Sequence, residues 1–540
     1  LIECSHLPSS ISRYPYLKHK GTLLRNGIEM IKNANVVLLE TSETIEVALT
    51  WGNVTNFAGV VNDGKKLTDI THGTVEGVDW VIWSNKGSNS AQFPLIDYGF
   101  NSGDPNVWYH PVVTVKWILD KIQEQSGVTF NFPSDKLTVI NKMIIPLLTR
   151  NDSQEIYDAY PMTLRVTGYD SSIIKFEAVG DSTQQYVSTN GSRDIYPKFD
   201  STLKLKGTIE VSYTYSQGID YLNTPFQITV YSTPTKQEEI INIYKPAAYI
   251  EPPYIRLVYS FDTSATVYKD GYFIISSGNG KQPINSVSGS LSVTITEREE
   301  DVVLGEKFPL VPNLPDIKQI DFIKAVASMV GLFALPDGEN GIKFIPFDNL
   351  SANKSKAVDW TNRVIMAYNS VTPRNLQYTL DNIAQNNWFR YKEDDNVMGN
   401  YDGNIQVDDA TIEYERDAIT LPFSACSTKG GVAYIPLYSY NDNGELQYNK
   451  ANPRILLLDG TKGIFKGLEW TTLIANNYQT YKGLINNAKI VTEYIRLNSI
   501  ELRDLEMDIP VYLAQYGCYL AIIEIKTKEN DICECKLLKL

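Results

Sequence analysis

The residues able to do chemistry are few, and their spacing does not suit it. The chain has four histidines, His6, His19, His72 and His110. None stands in an HExxH or similar spacing that would bring two imidazoles to one metal. No phosphate-cradling glycine loop, dinucleotide fingerprint or GxSxG elbow occurs. The five cysteines are Cys4, Cys426, Cys518, Cys533 and Cys535, an odd number and too sparse for a disulfide scaffold. Cys533 and Cys535 alternate with Glu534, which puts both thiols on one face of a strand. Two core-facing thiols are expected there, with a metal pair as the alternative. Acidic neighbours occur at Asp394-Asp395, at Asp408-Asp409 and in the run Glu299-Glu300-Asp301. Glycoside cleavage needs two carboxylates facing each other across a cleft, and adjacency in sequence says nothing of that. We read these residues as solvated turns and faces. The stretch from Asp394 to Asn404 resembles a calcium loop in composition, yet Met398 sits where an oxygen ligand belongs. The expectation is therefore a protein that is not an enzyme, with no catalytic, cofactor-binding or metal residues and no cofactor.

The aromatic residues invite a different chemistry. Trp80 and Trp83 sit in Asp79-Trp80-Val81-Ile82-Trp83, and the chain has 34 tyrosines against 18 phenylalanines. Exposed rings on a β-sandwich can stack sugars; cross-strand and core packing is the plainer reading of the same residues.

Such residues need a scaffold, and the composition bounds it. A chain of 540 residues suggests three or four domains at roughly 150 residues each. Apolar residues at 43 % and charged residues at 21 % are ordinary for a globular protein. The formal charge of −14 lacks the basic field of a nucleic-acid binder. No apolar run approaches the roughly 20 residues that span a membrane, so neither nucleic acid nor membrane insertion is expected. The opening LIECSHLP faintly resembles a lipobox, but Glu3 precedes Cys4 where a small residue belongs, and lipidation is not expected. The chain does not open with Met, and whether residues before Leu1 were removed stays open.

The pattern reads as mainly β with a few helices. Ile45, Val47, Leu49 and Trp51 alternate with polar residues, as in a half-buried strand. From 113 to 126 the period becomes helical through Val115, Ile118, Leu119 and Ile122. Thr114 suits an N-cap and Gly127 the residue past the helix end. A similar unit recurs where Ile320, Ile323, Val326, Ala327 and Val330 lead to Gly331 and Leu332-Phe333-Ala334-Leu335. We expect these two helix–glycine–strand units to be equivalent, each covering its own small β-barrel domain. Between them, Leu203, Leu205, Ile209, Val211, Tyr213 and Tyr215 keep a period of two across Gly207, and further strands lie near 226–231, 254–261, 272–276 and 290–296. This stretch reads as an inserted antiparallel β-sandwich, with Pro309 to Pro315 as its exit linker. The expected layout is a first β-domain over 1–157 with a helix at 113–126, the sandwich over 158–310, a second helix–strand unit over 311–375, and a second β-domain over 376–540. Trp470, Leu473, Ile474, Tyr478 and Tyr481 have helical spacing in the last of these, which closes in a hairpin with 526–531 as its loop.

Four stretches carry a resemblance: VALTWGNVTNFAGVVNDGKKLTDI from Val47; the proline-led strand and helix of Tyr109 to Phe132; NLPDIKQIDFIKAVASMVGLFALPDGENGIKFIPFD from Asn313, followed by Asp359-Trp360-Thr361; and Asp508 to Leu540, with IPVYLAQYGCYLAIIEI and the ending CECKLLKL. They resemble the large tail proteins of phages and prophages from gut Bacteroidetes. The resemblance covers the framework more than 158–310 and contains packing and turn signatures. It implies a baseplate hub-like structural protein, with duplicated β-barrel-plus-helix domains interrupted by the sandwich. It further implies a homo-oligomer, a trimer that closes a pseudo-six-fold ring, whose partners are tube, spike and fibre proteins. Host surface polysaccharide is a further partner that the insert could meet. The implied location is the virion, assembled in the bacterial cytoplasm. The alternatives are a bacterial surface glycan-binding protein that uses the sandwich and, more remotely, a tail-associated glycosidase.

Overall fold

A computed structural model describes residues 19–25, 27–41, 45–50, 64–70, 77–80, 91–99, 110–153, 161–179, 187–197, 200–223, 225–232, 237–243, 246–268, 271–277, 283–298, 301–302, 307–338, 340–366, 375–378, 380, 382–527 and 531–540. The protein is mainly β, with several sheets and a few helices. It divides into two compact units, one from 1–72, 93–148 and 315–540, the other from 73–92 and 149–314. The sandwich expected over 158–310 lies within the second unit, which also takes in 73–92. The stretches 311–375 and 376–540 join most of 1–157 in the first.

In the first unit the helix Val115–Ser126 forms as its sequence indicates. The Thr114 hydroxyl accepts from Trp117 N at 3.1 Å, and Val115, Ile118, Leu119 and Ile122 are buried. The turn ends at Gly127 with φ +70°, a left-handed conformation that glycine adopts without strain. The second helix, Gln319–Met329, buries Ile323 and Val326 among others. Gly331 has φ +68°, and a Cβ there would lie 2.6 Å from Asn477 Cβ and 2.8 Å from Asn477 O. Both conformation and space therefore require glycine at 331, while at 127 conformation alone does.

The two units do not head separate β-domains. Thr129–Asn131 runs parallel to Gly341–Pro346, and Leu332–Asp337 runs antiparallel to it on the other side. Both helices thus feed one three-stranded sheet. A local pattern of helix, glycine and strand specifies each unit but leaves its partner strand open, which is why the sequence suggested two sheets.

The carboxy-terminal part carries a six-stranded sheet in the order Val358–Asp359, Val511–Leu513, Cys518–Thr527, Ile532–Lys539, Ile490–Arg496, Asn375–Gln377. The last two strands in sequence form the expected hairpin. The helical spacing that begins at Trp470 is realised as two short helices, Trp470–Asn477 and Gln479–Asn486, broken at Tyr478. The amino-terminal strands His19–Arg25, Ile28–Thr41 and Ile45–Thr50 make a separate antiparallel sheet.

The second unit is one antiparallel sheet that folds over a shared core. Ser201–Thr214 lies at its centre, paired along its length with Tyr254–Val267 on one side and Ile284–Arg298 on the other. Leu203, Leu205, Ile209, Val211 and Tyr213 are buried, as the period of two requires. The alternation passes Gly207, where a Cβ would meet Ser290 O at 2.3 Å. Phe226 of the opposite layer packs on Tyr259 and Phe261, with ring centroids at 4.7 and 5.8 Å. The unit also recruits Gly77–Asp79, which pairs with Lys307–Pro309. The stretch expected as an exit linker is instead packed. Phe308, Leu310 and Leu314 are buried, and the Asn313 amide bonds Thr149, Asn151 and Pro309 at 2.7–2.8 Å.

Candidate functional site

The acidic pairs separate by environment. Asp395 and Asp408 are exposed, and Asp409 accepts from Thr411 N at 2.9 Å within its turn. Asp301, also exposed, lies 3.6 Å from Arg150; Glu299 and Glu300 fall outside the described residues. Asp394 is different, and the reading of it as a solvated turn is corrected. Its side chain is 5 % exposed and meets that of Arg454, 1 % exposed, at 2.5 Å. Asn452 Nδ2 donates to the same carboxylate oxygen at 3.2 Å, and Asn396 N donates to the other at 3.0 Å. Burial pushes the Asp394 carboxyl up, but the Asn396 N–H and the Arg454 hydrogen bond and charge outweigh it, holding the group below the usual carboxylate value. Both oxygens are thus engaged by nitrogen donors, and Met398 projects into solvent, an arrangement unlike a calcium loop. Among the described residues no group of three or more His, Cys, Asp or Glu could hold a metal.

Beside this pair, burial pushes the Cys426 thiol up to about 11. Cys533 and Cys535 face the core of the six-stranded sheet, with Trp360, Leu520 and Leu537, as their alternation indicates. Burial raises both thiols, Cys533 to about 11, so they stay protonated and behave as small apolar groups. Tyr516 donates to the buried Glu493 at 2.5 Å on the same sheet. His110 is buried, 5.4 Å from the Tyr98 ring and 6.5 Å from Tyr438. His19 lies in the first strand; Cys4, His6 and His72 fall outside the described residues. The histidines, thiols and acidic pairs do not come together into a reaction centre among the described residues.

Of the aromatic candidates, Trp80 is buried edge-on against Phe308, centroids 5.1 Å apart, and Trp83 lies outside the described residues. Tyr249 and Tyr254 are exposed on neighbouring strands of the second unit. The Arg256 guanidinium lies 4.8 Å from the Tyr249 ring centre and 3.3 Å from Glu210.

The most distinctive surface is the amino-terminal sheet. Val37 and Leu39 of Ile28–Thr41 are 46 % and 59 % exposed, Leu39 at an irregularity in the pairing with Ile45–Thr50 between Leu38 and Glu40. Leu23, Leu24 and Val47 are exposed as well. Among the described side chains of the three strands only Ala34 is buried. The strand expected to be half-buried through Val47 and Leu49 therefore shows apolar groups to solvent; Trp51 falls outside the described residues. The sheet is anchored on one side, where Ile28–Thr41 packs against the helix Ser499–Arg503 and Arg25 meets Asp531 at 2.9 Å. Sequence pattern marks the alternation but cannot say which face another layer covers. An apolar sheet surface of this sort suits association with another protein. Set against models of known protein families and against curated proteins, the chain matches none.

Proposed function

We propose that this chain is a structural component of a phage tail or related injection machine, a hub or tail-tip protein that joins tube to spike or fibre. The four framework segments that resemble phage tail proteins supply the class. The observation that carries an assembly role is the amino-terminal sheet, which holds Val37 and Leu39 in solvent on strands where, among the described side chains, only Ala34 is buried. Three strands need a covered apolar face to be stable, and in this reading a neighbouring subunit covers it. The role is geometric, with repeated docking in a closed ring, and involves no reaction. The protein then belongs to the virion and assembles in the host cytoplasm. Electron microscopy of the purified full chain tests this: three-fold rings are expected, and Val37→Lys with Leu39→Lys should leave folded monomers. A wild-type chain that stays monomeric and is missing from purified tails overturns the reading.

A glycan-binding role for the second unit is the alternative, favoured by exposed Tyr249 and Tyr254 beside the Arg256–Glu210 pair. Tyrosine rings can stack on sugar faces while charged neighbours bond hydroxyls. Retention of the chain on host capsular polysaccharide, abolished by Tyr249→Ala with Tyr254→Ala, would favour it.

A further inference from the structure

The six-stranded sheet carries a cleft at its Val358–Asp359 edge. Val358, Trp360, Leu497, Ile500, Ile509 and Ile522 form its apolar lining, around about 260 Å³ of open space. That is below the roughly 300–1,000 Å³ of small-molecule sites, and it suits one or two side chains. Val358 and Ile500 at the rim are 46 % and 49 % exposed. The cleft shares Arg363 and Glu501 with an adjoining polar groove of about 510 Å³, which Arg496, Asn498 and Asp531 also line.

The charges along this path are mostly paired. Arg363 bonds Glu501, Arg503 bonds Asp504 at 2.7 Å, and Arg25 bonds Asp531 at 2.9 Å. Two charged lining residues have no ion-pair partner within 4.0 Å among the described residues: Glu506 in the apolar cleft and Arg496 in the polar groove. The vacant potential is thus negative at one end and positive at the other. Among the described residues Val358–Asp359 is also the outermost strand, paired on one side only, with Val511–Leu513, the kind of edge beside which an extended chain can lie.

We propose that this cleft docks an extended segment of a partner protein, with an apolar side chain in the cavity, a basic group toward Glu506 and an acidic group toward Arg496. The occupant follows from the continuity of the apolar cleft with the polar groove and from charge order. A small apolar molecule would leave both charges unanswered. The inference goes beyond the assembly reading and stands whether or not the chain builds tails.

The test uses the full chain and fluorescein-labelled, end-blocked heptapeptides read by anisotropy. The probes are Ser-Lys-Ser-Leu-Ser-Glu-Ser and its reverse, Ser-Glu-Ser-Leu-Ser-Lys-Ser, because the direction of the docked chain is open. One of the two should bind at least tenfold tighter than a control with Leu replaced by Ser, and than a control with Lys and Glu replaced by Gln. Arg496→Glu should weaken that peptide about tenfold, and replacing its Glu by Lys should restore binding. Ile500→Asp, at an exposed rim position, should abolish binding while the melting temperature holds. Equal binding of controls and probes, or no response to Arg496→Glu, overturns the proposal. Conversion of a dimer to monomer by Ile500→Asp also overturns it, because a second copy would then be the occupant. Tail formation is not the readout, so failure here leaves the assembly reading standing, and the reverse.

Discussion

The strand Ile28–Thr41 and the strand Ser201–Thr214 each run 14 residues, and each has an antiparallel partner on both sides. Their backbones are treated alike, but their side chains are not. Along Ser201–Thr214 alternate residues disappear into a core that a second layer closes, with Phe226 reaching across to Tyr259 and Phe261. Along Ile28–Thr41 only Ala34 is buried among the described side chains, and Val37 and Leu39 stay in solvent. Hydrogen bonding between strands is thus separable from burial. A paired sheet can be left unfinished on one face, and that face is then available to another molecule.

The contrast is sharpest in what substitutions should cost. Phe226→Ala empties the covered layer and should destabilise the second unit by about 3–5 kcal/mol, read from chemical unfolding of the full chain. A loss below about 1 kcal/mol would show that the layer is not closed as described. The same division between covered and uncovered runs through one dipeptide. Asp394→Asn breaks a buried ion pair and should cost about 3 kcal/mol, whereas Asp395→Asn, at an exposed position, should stay within about 0.5 kcal/mol. Because the Asp394 carboxyl is held low, its contribution is complete above the ordinary carboxylate pKa of about 3.9. It is lost as pH falls through the lower folded-state value. Acid unfolding should therefore be shallower in Asp394→Asn than in the wild type. Tyr213→Phe removes a buried hydroxyl bonded to Ser277 and should cost about 1 kcal/mol. On the uncovered sheet, Leu39→Lys should change stability by less than about 0.5 kcal/mol and yet remove association. A large stability loss there would mean that Leu39 already has a covering layer.

Local pattern made much of this architecture legible. Thr114 and Gly127 bound their helix as expected, and Leu203 to Tyr213 alternate as a half-buried strand must. Ile118, Leu119, Ile323 and Val326 are buried as the helical periods indicate. What escaped the reading lies between residues far apart in sequence. Asp394 finds Arg454 sixty positions on, and nothing in Asp394-Asp395 distinguishes the paired carboxylate from the solvated one. Pro309 to Pro315 has the composition of a linker, but Asn313 ties it to Asn151, 162 positions back. The exposure of Val37 and Leu39 was also hidden, because an alternating strand looks the same whether its apolar face meets its own core or a partner's. The cleft at Val358 escaped for a similar reason, since its lining joins residues from 358–363 to others from 497–522, more than 130 positions on.

The pairing of Gly77–Asp79 with Lys307–Pro309 sets a schedule for synthesis. About 230 residues separate the two strands, and at roughly 5–20 residues per second the ribosome takes about 10–45 s to deliver the second. Throughout that interval the first strand has emerged without its mate, and Lys307 is not yet there to meet Asp79, which it contacts at 2.5 Å in the finished protein. The pairing of Gly77–Asp79, and with it the packing of Trp80 on Phe308, therefore forms only after the chain has been translated through 309. A nascent chain arrested before Phe308 should still expose Trp80 to solvent quenchers.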